Sequence, residues 1–555
     1  MLNKFTFRLP DNVGKQLAEA SNEWNSSGMM ARVWEKDASI WTNSDEAKWL
    51  GWLDIVEQEL GNVEQYRSLR DDIVSAGFTD ILLMGMGGSS LCPEVLAKTF
   101  EKANFHILDS TVPAQVASVE AKLDLKKTLF IVASKSGSTL EPNCFKQYFF
   151  SRVSEVSDDP GEHFIAITDP GSKMEQVARA DGFRHIIYGK PEIGGRFSAL
   201  SAFGMTAAAS MGIDVGRFLT DTMPIVDACR NDNVESNPGA TLGLILGTCH
   251  AAGRDKLTIF AADEVADLGA WMEQLVAEST GKNGVAIIPV DREAWQANYS
   301  DDRVFAFVSV GADADIDAKY AEVTAAGHPA VRVEMSSIET LGQEFFRWEF
   351  ATAVAGALMD LNPFDQPDVE SAKIEARKIT DEFEVTGKLP DETPFFESDG
   401  VKLFAGPDYQ EIFAEATTLD EMLEMHLGQI RDGDYFAILG YVEMNVRHEE
   451  LLQTLRNKVL ERKGVATCLG FGPRFLHSTG QAYKGGANNG VFLQITSDDA
   501  VDLPVTGQTY TFGVVKAAQA RGDFQVLVDR GRRALRIHLG SDVAAELNKM
   551  IDILR

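Results

Sequence analysis

The chain has 555 residues, 45% of them hydrophobic and 24% charged, with 83 acidic against 52 basic side chains and a formal net charge of −31. That length accommodates two to four domains with large cores. The acidity argues against nucleic acid as a main partner, since phosphate backbones need basic surfaces, but it leaves room for a small anionic substrate at a locally positive site. Cys92, Cys144, Cys229, Cys249 and Cys468 are scattered, with no CxxC pair, as expected of reduced thiols. The N-terminal "MLNKFTFRLPDN" has no apolar stretch of signal-peptide type, and no run of about 18 apolar residues marks a membrane span. A cytoplasmic protein is expected.

In chain order, residues 1–75 read as a helical segment, with an amphipathic stretch "DEAKWLGWLDIVEQEL". From residue 76 short apolar runs alternate with helical stretches: "DILLMGMGG", "FHILDS", "TLFIVASKS", "FIAITDP" and "HIIYG". Alternation of this kind predicts a parallel sheet covered on both faces. After a helical stretch the pattern restarts with "LTIFAAD", "VAIIPV", "VFAFVSVG" and "AVRVEM". The reading is therefore two tandem doubly wound α/β domains, 76–235 and 236–385. The stretch "TGKLPDETPFFESDG" marks a boundary. Beyond it, residues 400–555 are expected to form a smaller α/β or α+β domain.

Two strand ends stand out. "FIVASKSGSTLEPN" ends a hydrophobic run in Ser134, Ser136 and Thr139, and "ILLMGMGGSSLCPEV" ends one in Gly87, Gly88 and Ser89. Small residues, hydroxyls and a following helix N-terminus suit an anion such as phosphate. Strand ends of an open α/β sheet are where ligands bind. The second turn is not G-x-G-x-x-G, because Ser90 replaces the third glycine, so a dinucleotide site is not supported.

These turns resemble the phosphate-cradling turns of sugar isomerase domains. "EIGGRFSALSAFG" and "NPFDQPDVESAK" are similar to the two signatures of the glucose-6-phosphate isomerase family. The second departs from the usual pattern at Asp368 and at Ser371-Ala372. "QLVAESTGKNG" resembles the segment bearing that family's base. The N-terminal "ARVWEKDASIWT" and "DEAKWLGWLD" are closest to the isomerase half of bifunctional transaldolase–glucose-6-phosphate isomerases, although no transaldolase barrel can be read here. The resemblance spans about residues 80–375. It implies tandem sugar isomerase domains, a homodimer, and an aldose–ketose isomerase working through a cis-enediolate without cofactor or metal.

Residue by residue, the resemblance implies Glu278 as the base, Arg196 as the cation beside the enediolate and Lys373 as an aid to ring opening, with Asp365 and Gln366 as supports. Chemistry agrees. A carboxylate in a partly dry cleft can take a proton, and a permanently charged guanidinium suits an oxyanion. The family's ring-opening histidine has no clean counterpart. His477, in the Gly-rich loop "GPRFLHSTGQAYKGG", is the chosen candidate, and His328 the other. The expected substrate pair is glucose 6-phosphate and fructose 6-phosphate. The alternatives are an isomerase that also takes mannose 6-phosphate, and a non-catalytic sugar-phosphate-binding regulator.

Overall fold

The computed structural model describes residues 1–554. Numbered along the chain, strand β1 (Lys4–Arg8) joins the second of three sheets. The first sheet holds β2 (Asp80–Met84), β3 (Phe105–Leu108), β4 (Thr128–Ala133), β5 (Phe164–Thr168) and β6 (His185–Tyr188), all parallel in the order β3-β2-β4-β5-β6. The second adds β7 (Lys256–Ala261), β8 (Ile288–Asp291), β9 (Arg303–Val310) and β10 (Ala330–Met335), in the order β1-β10-β9-β7-β8. The third holds β11 (Phe396–Ser398), β12 (Val401–Ala405), β13 (Tyr435–Tyr441), β14 (Ala466–Phe471), β15 (Gly490–Ser497) and β16 (Arg533–Leu539), in the order β11-β12-β16-β15-β13-β14.

The central strands are apolar on both faces because helices cover both. Every residue of "TLFIVA" in β4 is buried, as a doubly covered parallel strand requires. Each sheet repeats one arrangement. Its first parallel strand lies inside, with the second on one side and the third on the other. The chain reverses direction across the sheet at that point, which opens a crevice at the carboxyl ends of the first and third strands. In the first sheet those ends are the residues following β2 and β4, the two turns rich in Gly and Ser.

Two largely enclosed helices, Pro238–Ala251 and Leu341–Leu358, pack together and join the first two sheets in one core. The second carries polar side chains into that core, Arg347 pairing with Glu344 at 3.0 Å. The third sheet is not a separate bead. Phe512 and Val515 pack with Phe145 and Tyr148 of the first unit. Tyr435 and Phe475 share a core with Ile288 and Val290 of the second.

Three features differ from the sequence reading. The start of the chain is not helical: "KFTFR" pairs antiparallel with β10, covering its outer edge and becoming the edge strand of the sheet. "DEAKWLGWLDIVEQEL" is not one α-helix but 3-10 turns over Glu46–Asp54 followed by the helix Ile55–Leu60. The buried Glu46 carboxylate accepts from the Thr42 N–H at 2.9 Å and the Ser44 N–H at 2.7 Å, ordering the preceding turn. Finally, the helix Pro367–Thr386 ends at Gly387 and packs on Phe512–Asp529 of the third unit, so close that a Cβ on Gly522 would lie 2.8 Å from the Ala376 nitrogen. No helix among the described residues is long and apolar enough to cross a membrane. All five cysteines are buried free thiols.

Candidate active site

The two turns following β2 and β4 meet at one cavity of about 440 Å³, lined by Gly87, Gly88, Ser89, Ser134, Ser136 and Thr139. Their close approach depends on missing side chains. A Cβ on Gly88 would run into the Gly195 carbonyl, and one on Gly137, whose φ is +68°, into the Met174 backbone. Thr139 is the N-cap of the helix Leu140–Ser154, and its hydroxyl makes no capping bond. Ser134 is 3% exposed and its Oγ has no protein partner. An unpaired buried hydroxyl costs free energy unless something polar meets it. Ser136 Oγ lies 2.8 Å from Ser138 Oγ. Lys135 also lines the cavity, its amine paired with Asp169 and donating to the Lys190 and Pro191 carbonyls, each at 3.1 Å.

The opposite wall carries Arg196, Gln274, Glu278, Gln366 and His477. Glu278 lies on the helix Leu268–Thr280 and is 6% exposed. Gln274, one turn earlier, donates to its carboxylate at 3.1 Å and to the His477 carbonyl at 2.8 Å. Arg196 follows Gly194-Gly195 and is 3% exposed. It donates Nε–H to Ser279 Oγ at 2.8 Å, Nη1–H to Gln366 Oε1 at 2.9 Å, and Nη2–H to the carbonyls of Pro363 at 2.6 Å and Asp365 at 2.8 Å. The Arg196 Nη1 to Glu278 Oε2 distance is 3.7 Å. Burial draws the guanidinium below its usual value, opposed by Glu278 and Asp365. It remains a fixed positive charge at neutral pH.

His477 ends the 3-10 turn Arg474–His477 of the third unit. Arg474 pins that turn to the first unit through Glu94 at 2.7 Å and Asp109 at 2.9 Å. The His477 Nε2 lies 2.9 Å from Glu141 Oε1, and the same carboxylate oxygen accepts from Gln519 Nε2 at 2.6 Å. Burial alone would raise the Glu141 carboxyl. The charge and hydrogen bond of His477 outweigh it and hold the group below the ordinary carboxylate range.

Lys373 is placed differently. Its amine is 3.4 Å from Glu370 on a half-exposed helix face. It lines an adjoining cavity of about 930 Å³ that shares Ser136, Thr139 and His477 with the first, rather than the cavity holding Arg196 and Glu278. His328 is away from both cavities, buried edge-on against Phe305 at 5.4 Å. Burial depresses its pKa.

Sequence reasoning passed over Gln274, Ser279, Glu141 and Gln519. Gln274 was readable, four residues before Glu278 on one helix face. Glu141 reads as an ordinary first-turn acid of its helix. Gln519 reaches the site across 378 residues of chain and carries no local signal. Among the described residues, no cluster of three or more His, Cys, Asp or Glu could hold a metal.

A sequence model of phosphoglucose isomerase matches residues 71–318. A glucose-6-phosphate isomerase from Methanocaldococcus jannaschii is 25% identical over 364 residues, 58% of this chain and 88% of the relative. One from Gloeothece citriformis is 37% identical over 216 residues, 37% of this chain and 40% of the relative. The fold also resembles the crystal structure of a glucose-6-phosphate isomerase from Chlamydia trachomatis, with a TM-score of 0.56 at 18% identity, covering 70% of this chain and 89% of that one. Over residues 71–318 the chain is similar to phosphoglucose isomerases.

Proposed function

We propose that the protein interconverts glucose 6-phosphate and fructose 6-phosphate. One observation carries the reading: a buried carboxylate, Glu278, lies 3.7 Å from a buried guanidinium, Arg196, on the wall of the same cavity that receives both hydroxyl-rich turns. The phosphate seats on Ser89, Ser134, Ser136, Thr139 and the Gly87-Gly88 backbone, with the helix N-terminus behind it. This anchors C6 and directs C1 and C2 across the cavity. Glu278 takes the proton from C2 of the aldose and returns it to C1, or the reverse. Arg196 faces the oxyanion of the enediolate with a charge already oriented by four acceptors, so little reorganisation accompanies the reaction.

His477, oriented by Glu141, is the group for ring opening, which needs one partner to protonate the ring oxygen and take the hydroxyl proton. Gln366 supports Arg196. Lys373 joins the ring-opening group only from the adjoining cavity. A homodimer in the cytoplasm is part of the proposal, with every named residue of one site supplied by one chain. A regulator that only binds sugar phosphate has no need of a buried carboxylate beside a guanidinium.

A coupled assay of purified protein with fructose 6-phosphate, without added metal, tests the reading. Formation of glucose 6-phosphate at a saturable rate is expected. Binding of the sugar phosphate without conversion would assign the regulator instead.

A further inference from the structure

Lys282 lies four residues after Glu278, just beyond the end of the helix Leu268–Thr280, and is 2% exposed. Its ammonium donates to the Asn362 carbonyl at 2.7 Å, the Asp365 carbonyl at 2.6 Å and Asp365 Oδ1 at 2.6 Å. Three N–H donors meet three acceptors, so the group is fully satisfied without touching the cavity. The loop that receives it is the loop that holds Arg196. The Asp365 carbonyl accepts from both cations, and Pro363 and Gln366 complete the grip on Arg196. Asn362 shapes the loop further, accepting from the Phe364 N–H at 2.9 Å and donating to Asp45 at 3.0 Å.

We propose that Lys282 is a positioning residue for the isomerase reaction: it locks the loop 362–366 so that Arg196 and Gln366 face the Glu278 carboxylate. The inference rests on the isomerase reading above. Glu278 and Lys282 belong to one short segment, so the ammonium is a strut between the base and the loop that aims the cation. Removing it takes the donor from the Asn362 carbonyl and from Asp365 Oδ1 and leaves the Asp365 carbonyl to Arg196 alone, and the guanidinium loses its fixed bearing.

An ammonium buried beside a second cation is costly. Burial first, and then Arg196, draw Lys282 down to about 8, against the pull of Asp365 and Glu278. These three are the charged groups that face it. Below that pH the ammonium supplies three donors. Above it a neutral amine supplies two and no charge, so the strut weakens as the proton leaves. The sign is fixed: turnover falls on the alkaline side.

The test is the pH profile of kcat for fructose 6-phosphate in the wild type, Lys282→Met and Lys282→Arg, with thermal unfolding at pH 7 to establish that each is folded. The wild type should lose turnover above pH about 8. Lys282→Met should turn over about 10²-fold more slowly, as expected of a small misplacement of a catalytic group, and lose that alkaline limb. Its KM should stay within roughly threefold, because the phosphate turns are untouched. Lys282→Arg should recover most of the turnover and move the limb upward, since a guanidinium does not titrate there. Wild-type turnover in Lys282→Met across the range overturns the inference. Should Lys282→Met not fold, the remaining pair decides: an alkaline limb at the same pH in wild type and Lys282→Arg overturns it. A wild type that does not isomerise overturns the functional reading instead.

Discussion

At the scale of single residues, the most informative arrangement is the pair His477 and Glu141. A histidine serves ring opening only when one nitrogen is fixed and the other is free to exchange a proton. The 2.9 Å contact of Nε2 with Glu141, and the 2.6 Å donation of Gln519 to the same oxygen, provide the fixed side. His477→Ala should therefore slow conversion of the cyclic sugar while largely sparing isomerisation of an open-chain substrate. Stopped-flow comparison of the two forms checks this, and equal slowing of both would assign His477 a structural task. How much was readable differed by residue. Glu278 and Arg196 sit within dense local motifs, so neighbours in sequence single them out as candidates, and both line one cavity. Lys373 also sits in a motif, but a helix residue's direction depends on what the helix packs against. Here the packing of Pro367–Thr386 on Phe512–Asp529 turns its amine toward Glu370 and the adjoining cavity. Lys282 lies within the same motif as Glu278, but nothing in its neighbours announces two carbonyls and one carboxylate oxygen contributed by Asn362 and Asp365.

At the scale of elements, the proposed phosphate seat is two strand-to-helix turns on neighbouring strands, and the turns themselves can be read from the sequence. A buried run such as "TLFIVA" followed by small hydroxylated residues specifies a central strand, a tight turn and a helix start in about a dozen residues. What the local pattern does not reveal is which turns face each other. That follows from β2 and β4 being neighbours in the sheet, and from Gly88 allowing the Gly195 turn to close over them. Ser136→Ala combined with Thr139→Ala should act mainly on KM. Each hydrogen bond to a charged group is worth about 1.5–3 kcal/mol, so loss of both should raise KM by roughly 10²-fold or more. Steady-state kinetics with kcat resolved from KM checks it. An unchanged KM would mean that the phosphate seats elsewhere, the adjoining cavity beside Lys373 being the next place to look.

At the scale of the whole molecule, three sheets of one strand order are assembled so that the third closes the site built by the other two. The α/β class and the restart of the pattern were legible because buried parallel strands separated by helices leave a strong alternation. The antiparallel β1 was not, since its pairing with β10 spans more than 320 residues and five exposed or half-exposed residues carry little periodic signal. The docking of the third unit was equally hidden, because its contacts are long-range packing of Phe512, Tyr435 and Phe475 rather than any motif. Its consequence is that His477 and Gln519 of the candidate site come from the part of the chain outside the family match. The central claim is that Glu278 moves a proton between C1 and C2 in this cavity. The most direct measurement follows loss of deuterium from C2-deuterated glucose 6-phosphate to water, in wild type and in Glu278→Gln. Wild type should release the label during turnover, and Glu278→Gln should release it at least about 10²-fold more slowly while still binding the sugar phosphate. Label release at the wild-type rate by Glu278→Gln would contradict the account.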